Sequence, residues 1–327
     1  MSEPTTGRHA QPGGGAAVRP GQERFVAPLE ETPLAAVDAV DESAPTGGLF
    51  AEAWKQLRKR PIFIVASLII LLLVVVSVFP SWFTSTNPRF VDLSVALQGP
   101  SAAHPLGVTR GGTDVYARLV YGARASVSVG ILTTVMVVVV GGVVGALAGF
   151  YGGWLDAILS RVADIFFALP LILGAIVLLQ TIRSRNVVTV ALTLALFGWP
   201  QVARIMRGAV LQVRTNEYVT AAKSLGLSRM ATLLRHVVPN ALGPVIVVAT
   251  ISLGTFIAAE ATLSFLSLGL PPNIVSWGGD ISNARATLRT DPMILLWPSI
   301  GLSITVLSFL MLGDALRDAL DPKGRTR

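Results

Sequence analysis

The stretch 217–240, "EYVTAAKSLGLSRMATLLRHVVPN", is a polar, basic insertion between two strongly apolar runs. Its pattern predicts two short helices. Asn216 or Thr215 can cap a helix beginning at Glu217, whose carboxylate suits the positive end of the helix dipole. Tyr218, Val219, Ala222 and Leu225 form its apolar face, and Gly226 supplies the left-handed turn that ends a helix without steric penalty. Ser228 can cap a second helix, in which Met230, Leu233, Leu234, Val237 and Val238 recur at i, i+3, i+4, i+7 and i+8. Pro239 is expected to close that helix just before the next apolar run. The expected product is a helix–turn–helix held against a membrane surface, offering a knuckle of small residues to the aqueous side.

A membrane is implied by what surrounds this stretch. The chain has 327 residues, of which 52% are hydrophobic and 14% charged, against roughly 25% charged in ordinary soluble domains. Its mean hydropathy is +0.64. Apolar runs occur near 61–80, 127–150, 163–182, 187–206, 241–265 and 293–313, and about 20 residues suffice to cross a bilayer. The fold class read from this is an all-α polytopic membrane protein with about six transmembrane helices. Gly198, Trp199, Pro200 and Gln201 interrupt the fourth run, which a bundle tolerates because neighbouring helices re-satisfy the freed backbone groups. Pro200 and Pro244 are candidate kinks. The first run is longer than the ~7–15-residue core of a cleaved signal, so it is expected to remain as the first span.

Charge placement orients these spans. The net charge is +7, and it is distributed as a topology signal, so no nucleic-acid partner is read from it. Lys55, Arg58, Lys59 and Arg60 precede the first span; Arg161 lies between the second and third; Arg207, Arg214, Lys223, Arg229 and Arg235 lie between the fourth and fifth; Arg317, Lys323, Arg325 and Arg327 follow the sixth. The positive-inside rule then makes both termini cytoplasmic. Arg183 and Arg185 run against the trend. The chain has no cysteine, which excludes disulfides and thiolate metal sites, and His9, His104 and His236 are too scattered to form a metal cluster.

The organisation that follows has six parts. Residues 1–48 have the composition of a disordered cytoplasmic tail. In 49–60, Leu49, Phe50, Ala53, Trp54 and Leu57 share one face of an amphipathic interfacial helix. The first transmembrane helix is 61–80, and 81–122 is an extracytoplasmic segment. A core of 123–316 carries the cytoplasmic loop 208–240, and 317–327 is a cytoplasmic tail. Gly141, Gly145, Gly149 and Gly153 recur every four residues, a spacing that lets two helix backbones approach closely; packing within this chain is expected. Asp164 is expected to pair with Arg161 one turn away. Glu260 lies nineteen residues beyond Ala241, about 28 Å along a helix, which places it near the outer surface as an outer gate or helix anchor.

No GxxxxGK[ST] phosphate cradle, no HExxH and no nucleophile–base set occurs, so the chain is not read as an enzyme. A self-sufficient secondary transporter or channel would need ion-coordinating groups near the midplane and usually internal repeats; neither is found in the sequence. The stretch "TAAKSLGLSRMATLLRHVVP" resembles the "EAA" signature of permease subunits of ATP-binding-cassette importers. Ala221 and Ala222 match its alanine pair, Gly226 its glycine and Pro239 its terminal proline, while Thr220 stands where the signature has Glu, and His236 and Val238 replace an aliphatic pair. "HPLGVTRGGTDVYARLVYGARASVSVG", "SFLSLGLPPNIVSWG" and "LGDALRDALDPK" resemble the C-type subunit of the dipeptide and oligopeptide branch, with a departure at Thr113, where that branch often has Arg.

The resemblance implies a type I importer permease fold in the bacterial inner membrane. It implies a heterodimer with a second permease subunit, two cytoplasmic ATPases, an extracytoplasmic substrate-binding protein and surrounding lipid. ATP and Mg would belong to the ATPases, leaving this chain without a cofactor. Glu217, Tyr218, Ala221, Ala222, Leu225, Gly226 and Arg229 would meet an ATPase cleft. Di- or oligopeptides would be the cargo, with a nickel complex or glutathione as alternatives.

Overall fold

The computed structural model describes residues 54–320. These belong to the unit Gly48–Arg327; the other unit, Met1–Gly47, lies outside the described residues, as do the expected disordered tail 1–48, residues 49–53 of the amphipathic helix and residues 321–327 of the C-terminal tail. Of the amphipathic helix, residues 54–57 are helical. Leu57 is buried against Ala315 and Ala319, whereas Trp54 stays exposed.

Helix α1 (Pro61–Val78) opens with proline in its first turn, where the missing N–H costs nothing. It is apolar all round, and only Ala66 and Ser77 are buried, as expected for a span facing lipid. Arg124 donates from Nε to the Ser77 carbonyl at 2.9 Å and from Nη2 to the Val78 carbonyl at 2.8 Å, supplying partners for carbonyls that a helix end leaves free.

Helix α2 (Val115–Tyr151) has 37 residues and is therefore about 55 Å long, well beyond the ~30 Å hydrocarbon layer. Its start is fixed by Asp114, whose Oδ1 accepts the Ala117 N–H at 2.6 Å. Three expected glycines pack it on helix α5 (Val187–Val213). A Cβ at Gly141 would lie 2.7 Å from the Trp199 carbonyl oxygen, one at Gly149 would lie 2.8 Å from that of Arg207, and one at Gly145 would collide with that of Ala203. The fourth glycine of the series does not join this face. Gly153 has φ +60° with open space around it, because the chain turns there and starts a new helix.

The third expected span is not one helix. It consists of α3 (Gly153–Phe167) and α4 (Leu171–Thr181), bent by 80°. Pro170 precedes α4; it lacks an N–H and its ring opposes helical continuation, so the break falls where hydropathy alone sees an unbroken run. α5 starts in a capping box, with the Thr189 N–H donating to Asn186 Oδ1 at 2.9 Å and the Asn186 N–H to Thr189 Oγ1 at 2.8 Å. It runs through Pro200 to Val213, seven residues past its expected end at 206.

Helices α6 (Glu217–Ser224) and α7 (Arg229–Thr232) follow, then a π turn, Leu233–Val237, leading into α8 (Val238–Phe265). Helices α9 (Trp277–Ala284) and α10 (Met293–Leu320) complete the described chain. Pro244 and Pro298 lie inside helices that continue through them. Among the described residues, five helical stretches are long and apolar enough to cross a membrane, and six if the α3–α4 pair counts as one.

Candidate functional site

α6, α7 and the turn between them form a finger at one end of the bundle. The sequence places its turn correctly. Gly226 has φ +84°; its N–H donates to the Lys223 carbonyl at 3.0 Å, and the Leu227 N–H to that of Ala222 at 3.2 Å, the paired pattern that closes a helix on a left-handed glycine. Ser228 Oγ accepts the Ala231 N–H at 3.2 Å, starting α7 as expected. The expected cap of α6 is only positional. Asn216 precedes it without a side-chain capping bond, and Thr215 Oγ1 donates instead to the Gln212 carbonyl at 2.9 Å.

Two other expectations are corrected. Tyr218 and Leu225 were expected on the apolar inner face, but they are 44% and 82% exposed. Val219 and Ala222 are the residues that α6 buries. The outward stripe is therefore Tyr218, Ala221 and Leu225, at i, i+3 and i+7, flanked by exposed Glu217, Gly226 and Arg229. In a helix of only two turns, two adjacent stripes fit apolar side chains equally well, and tertiary packing selects one. Similarly, Leu233 and Val237 of the second stripe are buried, while Met230 and Leu234 are exposed.

Pro239 does not close the second helix. The wider π turn makes room for its ring, and Asn240 Nδ2 donates to the His236 carbonyl at 2.7 Å. The finger thus passes into α8 without a break in helical backbone.

The finger is built into the core. Val219, Leu233 and Val237 join one cluster with Phe150 of α2, Val210 of α5 and Ala241 of α8. Lys223 Nζ lies 5.4 Å above the Phe150 ring, and Arg214 Nη1 donates to the Gly149 carbonyl at 2.7 Å. Beside it, Arg207 grips Asp156 of α3 with two bonds of 2.6 and 2.7 Å. Asp164 pairs not with Arg161, as expected, but with Arg204 of α5 at 2.8 Å. Arg204 also stacks 3.8 Å over Phe167. Spacing along one helix could not reveal these partners, because they depend on which helices become neighbours.

Glu260 is completely buried. Ser264 Oγ donates to its Oε1 at 2.7 Å and accepts the Leu270 N–H at 3.0 Å. Glu260 Oε2 makes no hydrogen bond within the described residues.

At the end opposite the finger, Asp114 Oδ2 also holds His104 Nδ1 at 2.8 Å. Arg118 of α2 pairs with Asp280 of α9. Burial pushes the Asp280 carboxyl up from the usual carboxylate range, and the neighbouring Arg118 charge opposes that shift. Trp277 Nε1 donates to the Leu119 carbonyl at 2.8 Å. These contacts fasten the start of α2 to α9. Among the described residues no group of three or more His, Asp or Glu side chains could hold a metal ion.

A bundle of spanning helices with a helical finger emerging between its fourth and fifth crossings is the architecture of an importer permease. Residues 141–326 match the family "Binding-protein-dependent transport system inner membrane component", and residues 48–100 match "N-terminal TM domain of oligopeptide transport permease C". The chain belongs to that family of ATP-binding-cassette permeases, in the peptide branch, and is a multi-pass protein of the bacterial inner membrane. It is 38% identical over 272 residues to the dipeptide transport system permease protein of Alkalihalophilus pseudofirmus, covering 83% of this chain and 89% of that one. It is 34% identical over 273 residues to the glutathione transport system permease protein of Pectobacterium atrosepticum, covering 83% and 90%. The inward-facing MetNI methionine ABC transporter shares the fold, with a TM-score of 0.53 and 21% identity over 62% of this chain and 96% of that one.

Proposed function

We propose that this chain is one half of a heterodimeric peptide permease whose motion is imposed through the 217–240 finger by cytoplasmic ATPase subunits. The observation that carries this reading is the finger's two-sidedness. Outward, Tyr218, Ala221 and Leu225 form an exposed stripe; inward, Val219, Leu233 and Val237 belong to the same core cluster as α2, α5 and α8. Force applied to the stripe therefore reaches three spans through close-packed side chains, which transmit displacement because interiors are dense and barely compressible. Taking a two-state pore from 1:99 to 99:1 requires roughly 5.5 kcal/mol of differential binding, within reach of ATP-driven closure of two subunits that hold this finger.

In this reading ATP and Mg are held by the partner subunits, and an extracytoplasmic binding protein delivers di- or oligopeptides. Of the coupling residues, Ala221 permits the close approach, Gly226 shapes the knuckle, and Glu217 and Arg229 make polar contacts at its margin. Ala222 is buried within the chain and supports the finger from behind. Glu260 acts as an anchor: with Ser264 it ties the loop after α8 to the helix end. Glutathione is a second cargo reading, favoured by the relative that carries that name.

Reconstitution tests the assignment. Proteoliposomes containing both permease subunits, the ATPases and the binding protein are expected to accumulate a labelled dipeptide when ATP is present. This chain alone is expected to accumulate none, and uptake by it alone would overturn the reading.

A further inference from the structure

The spanning helices differ in what they expose at membrane depth. Every exposed residue of α1 is apolar, and the exposed residues of α2 between 131 and 143 are isoleucine and valine, surfaces that lipid tails solvate. α5 is different. Its 27 residues exceed the roughly 20 that cross the hydrocarbon layer, and counting that many from either end of the helix includes Gln201 and Arg204, both exposed. Arg204 and its partner Asp164 of α3 have side chains 46% and 49% exposed.

The elbow between α3 and α4 stands beside this stretch. Phe166 meets Phe197 and Trp199 of α5 with ring centroids 6.4 and 5.8 Å apart. Ala168, Leu169 and Pro170, at the bend itself, are all exposed. The break also leaves polar backbone open: the carbonyls of Ala168 and Leu169 and the N–H groups of Ile172 and Leu173 have no backbone partner among the described residues.

Lipid tails offer no hydrogen bonds, so broken helical backbone at this depth is stable only against protein or beside a water-filled cavity, and charged side chains within a span obey the same constraint. Water fits this face better than a dry wall. A dry wall would have to match each open carbonyl and N–H, Gln201 and the outer sides of Arg204 and Asp164, because a polar group buried without a partner is costly. It would also have to keep those matches while the bundle moves, whereas water meets them in any arrangement. A cavity of about 400 Å³ continues from the Asp164–Arg204 pair toward the finger, with Ser160 and Arg207 in its lining, room for on the order of ten waters.

We propose that the α3–α4 elbow, with Gln201 and Arg204 of α5, lines a water-filled path along which hydrated polar cargo crosses the membrane. The inference deepens the import reading and rests on it for what passes and for the second permease as the opposite wall of the path.

The test uses single cysteines, since the chain has none of its own. Leu169→Cys and Leu173→Cys probe the elbow; Leu68→Cys on α1 and Val139→Cys on α2 are the lipid-facing controls. Each variant is isolated as the assembled importer through an affinity tag on an ATPase subunit, placed in lipid nanodiscs and treated with the membrane-impermeant anion sulfonatoethyl methanethiosulfonate. Only a thiolate reacts, and a thiol ionises only in contact with water, so the elbow variants are expected to react about a hundredfold faster than the controls. Elbow reactivity no greater than that of the controls would overturn the path. If that result came from importers that still take up peptide with ATP, the path would fall and the import reading would stand; fast reaction in assemblies that take up no peptide would do the reverse.

Discussion

Gly145 and Gly142 are neighbours on α2 with opposite surroundings. A Cβ at Gly145 would collide with the Ala203 carbonyl of α5, whereas nothing lies within 4 Å of one at Gly142. Gly145→Ala is therefore expected to destabilise the protein by about 1–3 kcal/mol, as overpacking does, and Gly142→Ala to leave it unchanged or slightly firmer, since alanine favours helix by about 1 kcal/mol. Thermal melts of the two variants in detergent check this. Gly226 makes the complementary case: space is open around it but its φ of +84° is not available to most residues. Gly226→Val is expected to abolish ATP-dependent uptake while leaving the protein in the membrane, and Gly226→Asn to keep most of it, because asparagine tolerates the left-handed region. Uptake assays with membrane quantification distinguish the outcomes. At this scale the sequence was legible wherever backbone geometry dictates the residue, as at Gly226, Ser228 and the Gly141–Gly145–Gly149 series. It misled where neighbours decide, as with the exposure of Tyr218 and Leu225 or the partner of Asp164.

At the scale of elements, long apolar runs announce spans because nothing else satisfies twenty such residues, and the helices at 61–78, 187–213, 238–265 and 293–320 answer to them. The third run misled because hydropathy averages over Pro170, whose effect is geometric. Of the resulting pair, α3 is held to α5 by two ion pairs of unequal burial. Asp156 is the more sheltered, with its two bonds to Arg207, while Asp164 and Arg204 are both about half exposed. Asp156→Ala is expected to cost about 1 kcal/mol and to keep most of that effect in high salt. Asp164→Ala is expected to cost less, with an effect that salt erases. Melting curves at two ionic strengths separate them.

For the whole molecule, the sequence reading found no phosphate cradle, metal cluster or midplane charge set and expected an energy source outside the chain. The resemblance in the finger supplied its direction. Hidden from the sequence was the way Val219, Leu233 and Val237 enter one core with α2, α5 and α8, since long-range packing has no local signature. The polar face at the α3–α4 elbow was equally hidden, because a hydropathy average does not see the break that exposes it. The most direct test of coupling uses the chain's lack of native cysteine. A benzophenone attached to Leu225→Cys at the finger's most exposed large apolar side chain, in the fully assembled importer, is expected to yield a covalent adduct with an ATPase subunit on illumination, and the same label at lipid-facing Leu68→Cys none. Adducts of the finger with lipid alone, and none with a nucleotide-hydrolysing subunit, would contradict the account.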